Sequence, residues 1–230
     1  GHSGAVNLDG TDDNSGVVSI DDFEGAVSGF PFNSFGDNRW ILASVPDYVD
    51  DNTRFPEAEF TDLRSGYNRA KLSWHTSDRS EQVSEGGKDH SYTRLINQQE
   101  LFNRQLPQGT LPYLFTFDLN YYPDERGPYN FDPPNGHPGI SAGIGYDVQQ
   151  QKVFLKEPET RWAGIMRYMP NSDFQAANYE FIEFWLLNPF LDQTDGSMAP
   201  PDEEGFITFH LGNVSEDILH DNLQFFENSI

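Results

Sequence analysis

The string Gly139-Ile140-Ser141-Ala142-Gly143 has the Gly-x-Ser-x-Gly spacing that sets a nucleophilic serine on a strained turn. That chemistry needs a buried strand before the serine and a helix after it. Here Asp132-Pro133-Pro134-Asn135-Gly136-His137-Pro138 precedes it, too rich in proline and glycine for a buried strand. Ile144-Gly145-Tyr146-Asp147 follows, and it is no helix start. The string therefore reads as a turn in a glycine-rich loop. Glycosidic acid–base chemistry needs two carboxylates facing each other across a cleft. Asp124-Glu125, Glu203-Glu204 and Glu216-Asp217 are adjacent acids, but they fall in expected turns or at an expected helix start, where acids cap and solvate. The histidines, at positions 2, 75, 90, 137, 210 and 220, show no metal-ligand spacing and read as surface residues. No catalytic residue emerges, and a non-enzymatic chain is expected.

Calcium chemistry is better served. Asp9-Gly10-Thr11-Asp12-Asp13-Asn14-Ser15-Gly16 alternates oxygen ligands, but Asn14 stands where an EF-hand needs glycine and Ile20 where it needs a bidentate acid. Asp21-Asp22-Phe23-Glu24-Gly25 is the stronger candidate, with Asp22 and Glu24 as ligands. It resembles the acidic string that holds a structural calcium in carbohydrate-binding sandwiches. The competing reading is a turn of solvated acids with Phe23 buried. Trp40, Trp74 and Tyr121-Tyr122 could stack on sugar rings, but Trp74 is in phase with Leu72 and Trp185 lies in the most apolar run, so core packing accounts for most aromatics.

The charge narrows the partners. Across 230 residues, 37 Asp and Glu face 14 Lys and Arg, a formal net charge of −23. Such a chain cannot supply the clustered cations of a phosphate-tracking groove, and it is repelled by anionic lipid. It suits bound cations or basic partners. Cysteine is absent, which removes disulfides, thiolate nucleophiles and zinc–thiolate sites. No apolar run reaches the length of a membrane helix. The opening Gly1-His2-Ser3 reads as a tag scar at residues 1–3, and the chain as a piece of something longer.

Aromatics are 14% of residues and fall in short alternating runs, the period of half-buried strands. Strands are expected at 70–76, 115–120, 152–155, 162–168, 207–211 and 40–44. Residues 181–187 are apolar on nearly both faces and read as a central strand. Asn213 with Glu216 resembles a capping box and predicts a short helix over 215–221. One helical turn is expected after Ser172 and a short helix over 97–104. Residues 46–66, 77–92 and 193–204 read as loops, as does the proline- and glycine-rich stretch around 132–151, a flexible loop. The expected fold is all-β: an antiparallel two-sheet β-sandwich, jelly-roll or galactose-binding-like, with few short helices and long loops. Residues 1–20 read as an acidic leader and 21–230 as a single sandwich domain.

Six ordered strings carry a more specific resemblance: Asp21-Asp22-Phe23-Glu24-Gly25; Tyr67-Asn68-Arg69-Ala70-Lys71-Leu72-Ser73-Trp74; Tyr121-Tyr122-Pro123-Asp124-Glu125-Arg126-Gly127-Pro128-Tyr129-Asn130-Phe131; Arg161-Trp162-Ala163-Gly164-Ile165-Met166-Arg167; Glu180-Phe181-Ile182-Glu183-Phe184-Trp185-Leu186-Leu187-Asn188-Pro189-Phe190; and Leu211-Gly212-Asn213-Val214-Ser215-Glu216-Asp217-Ile218-Leu219. In this order they resemble a segment of the SprA (Sov) family, the giant cell-surface proteins of Bacteroidota that form the outer-membrane translocon of the type 9 secretion system and are tied to gliding motility. The resemblance implies a soluble insert of a transmembrane β-barrel protein, at the outer membrane or cell surface. Its partners would be the remainder of its own longer polypeptide and other secretion-system subunits. It implies no catalytic residue or cofactor. The motif residues then read as fold determinants: Pro123, Gly127 and Pro128 shaping a turn, Gly164 permitting close packing, Asn213 capping a helix. A carbohydrate-binding sandwich with a structural calcium is the alternative function.

Overall fold

The alternation that begins at Ala70 becomes the longest ladder of the molecule. The structure, a computed structural model, describes residues 4–6, 17–19, 39–46, 54–83, 93–102, 105–169, 182–188, 190, 205–212 and 214–223. The chain divides into two compact units, Gly1–Phe32 and Asn33–Ile230. In the first, strand β1 (Gly4–Val6) pairs antiparallel with β2 (Val17–Ser19). In the second, β3 (Ile41–Leu42) pairs with β8 (Ile165–Met166), β4 (Ala70–His75) with β5 (Asp118–Arg126), and β6 (Ile144–Asp147) with β7 (Lys152–Leu155). Every one of these ladders is antiparallel and two-stranded. Helices are short: α1 (Arg79–Val83), α2 (Gln98–Leu101) and 3-10 turns at Pro56–Glu59, Leu63–Gly66 and Pro158–Thr160. The described chain is thus all-β with a few short helices, and among the described residues no helix is long and apolar enough to cross a membrane.

Helix α2 falls inside the expected 97–104. Asn97 accepts from the Gln99 amide and the Glu100 carboxylate accepts from the Asn97 amide, the reciprocal capping that lets so short a helix form. Strand β5 differs from expectation at both ends. It starts at Asp118 rather than 115, because residues 112–114 bond back to residues 96–98 through Gln98 N–Pro112 O and Leu114 N–Ile96 O. It also runs through Pro123, expected in a turn. The register steps from Lys71↔Tyr122 to Ala70↔Arg126, so Pro123, Asp124 and Glu125 bulge opposite no residue of β4. A proline is tolerated there because a bulge needs no ladder donor. The turn does follow at Gly127-Pro128, where a Cβ on Gly127 would sit 2.2 Å from Ala70 O.

The loops expected over 46–66 and 77–92 hold the first two 3-10 turns and α1, and β6 lies within 132–151. In the other direction, three expected elements do not form. Residues 215–221 are a turn rather than a helix. The Asp217 amide bonds back to Ser215 Oγ, and His220 and Asn222 adopt left-handed φ of 54° and 64°, which stops helical propagation. Residues 182–188 and 207–211 have no ladder partner among the described residues, and their side chains stand exposed on both faces: Trp185 is 65%, Leu186 60% and Ile207 55% exposed. A strand needs a neighbour for its backbone groups, and apolarity alone does not supply one. The expected helical turn after Ser172, the Asn213 cap and the leader's polar string lie outside the described residues.

Candidate functional site

The centre of the second unit is polar. The parallel bridge between Arg69 and Trp162 and the hydrogen bonds from Asn130 to the Tyr67 and Arg69 carbonyls bring three of the six strings together. Arg161 and Asp132 form an ion pair of 2.8 Å with both side chains 0% exposed. Arg161 uses every N–H of its guanidinium: Nε and Nη2 donate to Lys156 O at 2.9 and 2.8 Å, Nη2 to Gly143 O at 3.0 Å, and Nη1 to Tyr67 O and Asn68 Oδ1. Asp132 Oδ1 accepts from Ser141 Oγ at 2.5 Å. Gly143 fits this turn because it adopts φ of 83° and a Cβ would lie 2.3 Å from Gly136 N.

A second layer surrounds the pair. Asn130 Nδ2 donates to Tyr67 O and Arg69 O at 2.9 and 2.6 Å, while its Oδ1 accepts from Arg126 Nε and the Asp132 amide. Glu57, fully buried, accepts from Asn68 Nδ2 at 2.9 Å and from Trp162 Nε1. Desolvation raises the Glu57 pKa, opposed by the Trp162 and Asn68 hydrogen bonds and by the Arg69 charge. Arg69 lies over the Trp162 ring at 4.6 Å and donates to Ala43 O at 2.6 Å and Ile218 O at 3.2 Å. Ser44 Oγ and Ser65 Oγ donate to the carbonyls of Ser215 and Leu219. The turn at 215–219 is therefore strapped to the core by three side chains that take its carbonyls, with Ile218 and Leu219 buried beneath. Tyr121 donates to Arg161 O at 2.6 Å, and burial of that hydroxyl pushes its pKa to about 12.

The residues singled out from the sequence occupy other settings. Ser141 sits at a turn paired to His137, with its hydroxyl engaged by Asp132, and lies on no strand-to-helix elbow. His137 donates its backbone amide to that hydroxyl at 3.2 Å, while its ring Nδ1 meets Pro138 O at 3.0 Å. Glu125 is held between Lys71 (2.7 Å) and Lys152 (2.6 Å), whose hydrogen bonds lower its pKa to about 2. Asp217 is buried and accepts from the Asn222 amide at 2.6 Å. His75 and His210 are exposed, His210 with its ring 6.5 Å from Phe55. Trp40 stacks on Phe117 at 5.7 Å. The calcium candidates Asp22 and Glu24, and the pair Glu203-Glu204, lie outside the described residues.

No protein-family model and no curated protein matches this chain.

Sequence reasoning missed Glu57, Asp132, Asn130 and Arg161 as a cluster. Asn68, Arg69, Asn130, Arg161 and Trp162 stand inside the quoted strings, and that membership is the available signal. Glu57 and Asp132 carried none, since an acid in a loop looks the same whether it is solvated or buried. The arrangement spends its polar atoms on backbone carbonyls, which is how a fold fixes irregular chain.

Proposed function

We propose that this chain is a non-enzymatic, soluble scaffold and docking domain of a giant outer-membrane protein-secretion translocon linked to gliding motility. One observation carries the reading: the Tyr67–Trp74, Tyr121–Phe131 and Arg161–Arg167 strings converge on one buried cluster whose side chains bind main-chain carbonyls. Residues so committed are fold determinants, the role the resemblance implies for them. The antiparallel ladders support the two-sheet sandwich as the finer reading of this all-β fold. The partners are the rest of the longer polypeptide and other secretion-system subunits, at the outer membrane or cell surface.

The absence of cysteine from this chain makes the test clean. With Ile207→Cys placed in the full-length translocon and a thiol-reactive crosslinker applied to intact Bacteroidota cells, the expected products join this residue to secretion-system subunits or to distant parts of its own polypeptide. Crosslinks confined to unrelated proteins, or none at all, would overturn the reading.

A further inference from the structure

The exposed apolar segments and the charge distribution point to the same partner chemistry. Residues 182–188 and 205–211 belong to one face, since the Phe184 and Phe209 rings meet at 5.1 Å. Side chains of both parities are exposed along each segment, Trp185 and Leu186 as well as Phe206 and Ile207. Phe102 meets Trp185 edge-on at 6.1 Å and the Arg54 guanidinium lies 4.0 Å over the Phe206 ring, so among the described residues each segment is covered only in part. An apolar face of this kind marks an interaction site.

Charge decides what covers it. From Tyr168 to Ile230 the sequence holds twelve Asp or Glu and no Lys or Arg, so 63 residues carry −12 of the total −23. Glu183 lies within the apolar run itself, and Asp202-Glu203-Glu204 directly precede Gly205 in sequence. A second copy of the chain brings the same net negative charge, and like charge across an interface opposes association. A basic partner gains from the same field. The two segments already carry the apolar, ring-rich composition of strands, so the matching partner backbone is extended.

We propose that the face formed by residues 182–188 and 205–211 captures an extended, strand-forming protein segment that alternates apolar and basic side chains. The proposal rests on the docking role above and names the chemistry of what docks. The apolar side chains of the incoming strand cover Leu186, Ile207 and the Phe184–Phe209 pair, and its Lys or Arg meet the exposed Glu183.

Dye-labelled peptides titrated into the whole 230-residue chain test this by fluorescence anisotropy. A roughly ten-residue Val/Lys alternating peptide is the probe; Val/Glu and Ser/Lys peptides of equal length are the controls. Val/Lys is expected to bind at least about tenfold tighter than either control, a difference near 1.4 kcal/mol. The paired substitutions Leu186→Ser and Ile207→Ser should remove that advantage without moving the urea midpoint, and the free chain should sediment as a monomer. Equal binding of Ser/Lys, no binding of Val/Lys, binding untouched by the substitutions, or a dimer that Val/Lys cannot compete apart would each overturn the proposal. Crosslinks in cells combined with failure of Val/Lys would refute this inference and leave the docking role standing. Val/Lys binding without crosslinks would do the reverse.

Discussion

Around Arg161 the chain takes charges and amides out of water, while along residues 182–188 and 205–211 it leaves rings and aliphatic groups in it. The first region pairs its central buried groups: Arg161 with Asp132 and four other acceptor groups, Glu57 with Trp162 and Asn68, Asn130 with Tyr67 and Arg69. The second has the apolar content of a core and, among the described residues, only partial cover from Phe102, Arg54 and Phe55. The contrast teaches that burial here follows from who supplies hydrogen bonds to irregular backbone rather than from hydrophobicity alone. Irregular chain at 67–69, 130–143 and 215–219 exposes carbonyls that only side chains from elsewhere can satisfy, so polar residues are drawn inward. Apolar segments with no ladder neighbour among the described residues have no such anchor.

The comparison can be broken most sharply at the buried ion pair. Asp132→Ala leaves the Arg161 guanidinium buried without its counter-charge, and urea unfolding should show a loss of about 3–5 kcal/mol. A loss under about 1 kcal/mol would mean water reaches the pair and the polar centre does not hold the fold. Next comes the strap. Ile218→Ala removes a fully buried side chain under the turn and should cost about 2–5 kcal/mol, with protection of the 215–219 segment lost first in hydrogen exchange. Unchanged protection there would show that the strap is not held by burial.

Glu57→Gln sharpens the electrostatic half. The amide must turn one N–H toward the Trp162 indole or the Asn68 amide, both donors, at a cost of about 1–3 kcal/mol. Because burial raises the Glu57 pKa above 4.5, the folded state binds its proton more tightly than the unfolded state does. Its contribution is therefore fully present below pH 4.5 and lost as pH rises through the raised value. The stability gap between the parent and Glu57→Gln should widen on acidification from neutral pH. A gap independent of pH would contradict the burial of a titrating carboxyl.

The smallest effect belongs to the surface. Glu125, its pKa lowered to about 2 by Lys152 and Lys71, contributes stability that is present above pH 4.5 and lost as pH falls toward about 2. Glu125→Gln should leave neutral-pH stability nearly unchanged in salt and should flatten that acid limb. An acid limb as steep as the parent's would assign it to other carboxylates.

Period-two patterning made β4 legible, and capping chemistry made α2 legible, because those signals are local. The bulge at Pro123 was not legible: whether a proline ends a strand or sits in one depends on the partner's register. The helix expected over 215–221 failed for a long-range reason, since Ser44, Arg69 and Ser65 take the carbonyls a helix would have used. The strand pattern at 181–187 and 207–211 describes what these residues are suited to, while pairing depends on a neighbour that no local pattern encodes. Of the site, the polar members of the strings could be seen but not their convergence, and the acids Glu57 and Asp132 looked like any other loop acids.

The central claim is that this unit is held by its polar centre while its apolar face is kept for a partner. The urea midpoints of Asp132→Ala and of the paired Leu186→Ser and Ile207→Ser substitutions, measured side by side on the whole chain, test it most directly. The account predicts a large drop for the first and a midpoint within error of the parent for the second. A second variant as destabilised as the first would contradict it, because the apolar face would then be part of the core.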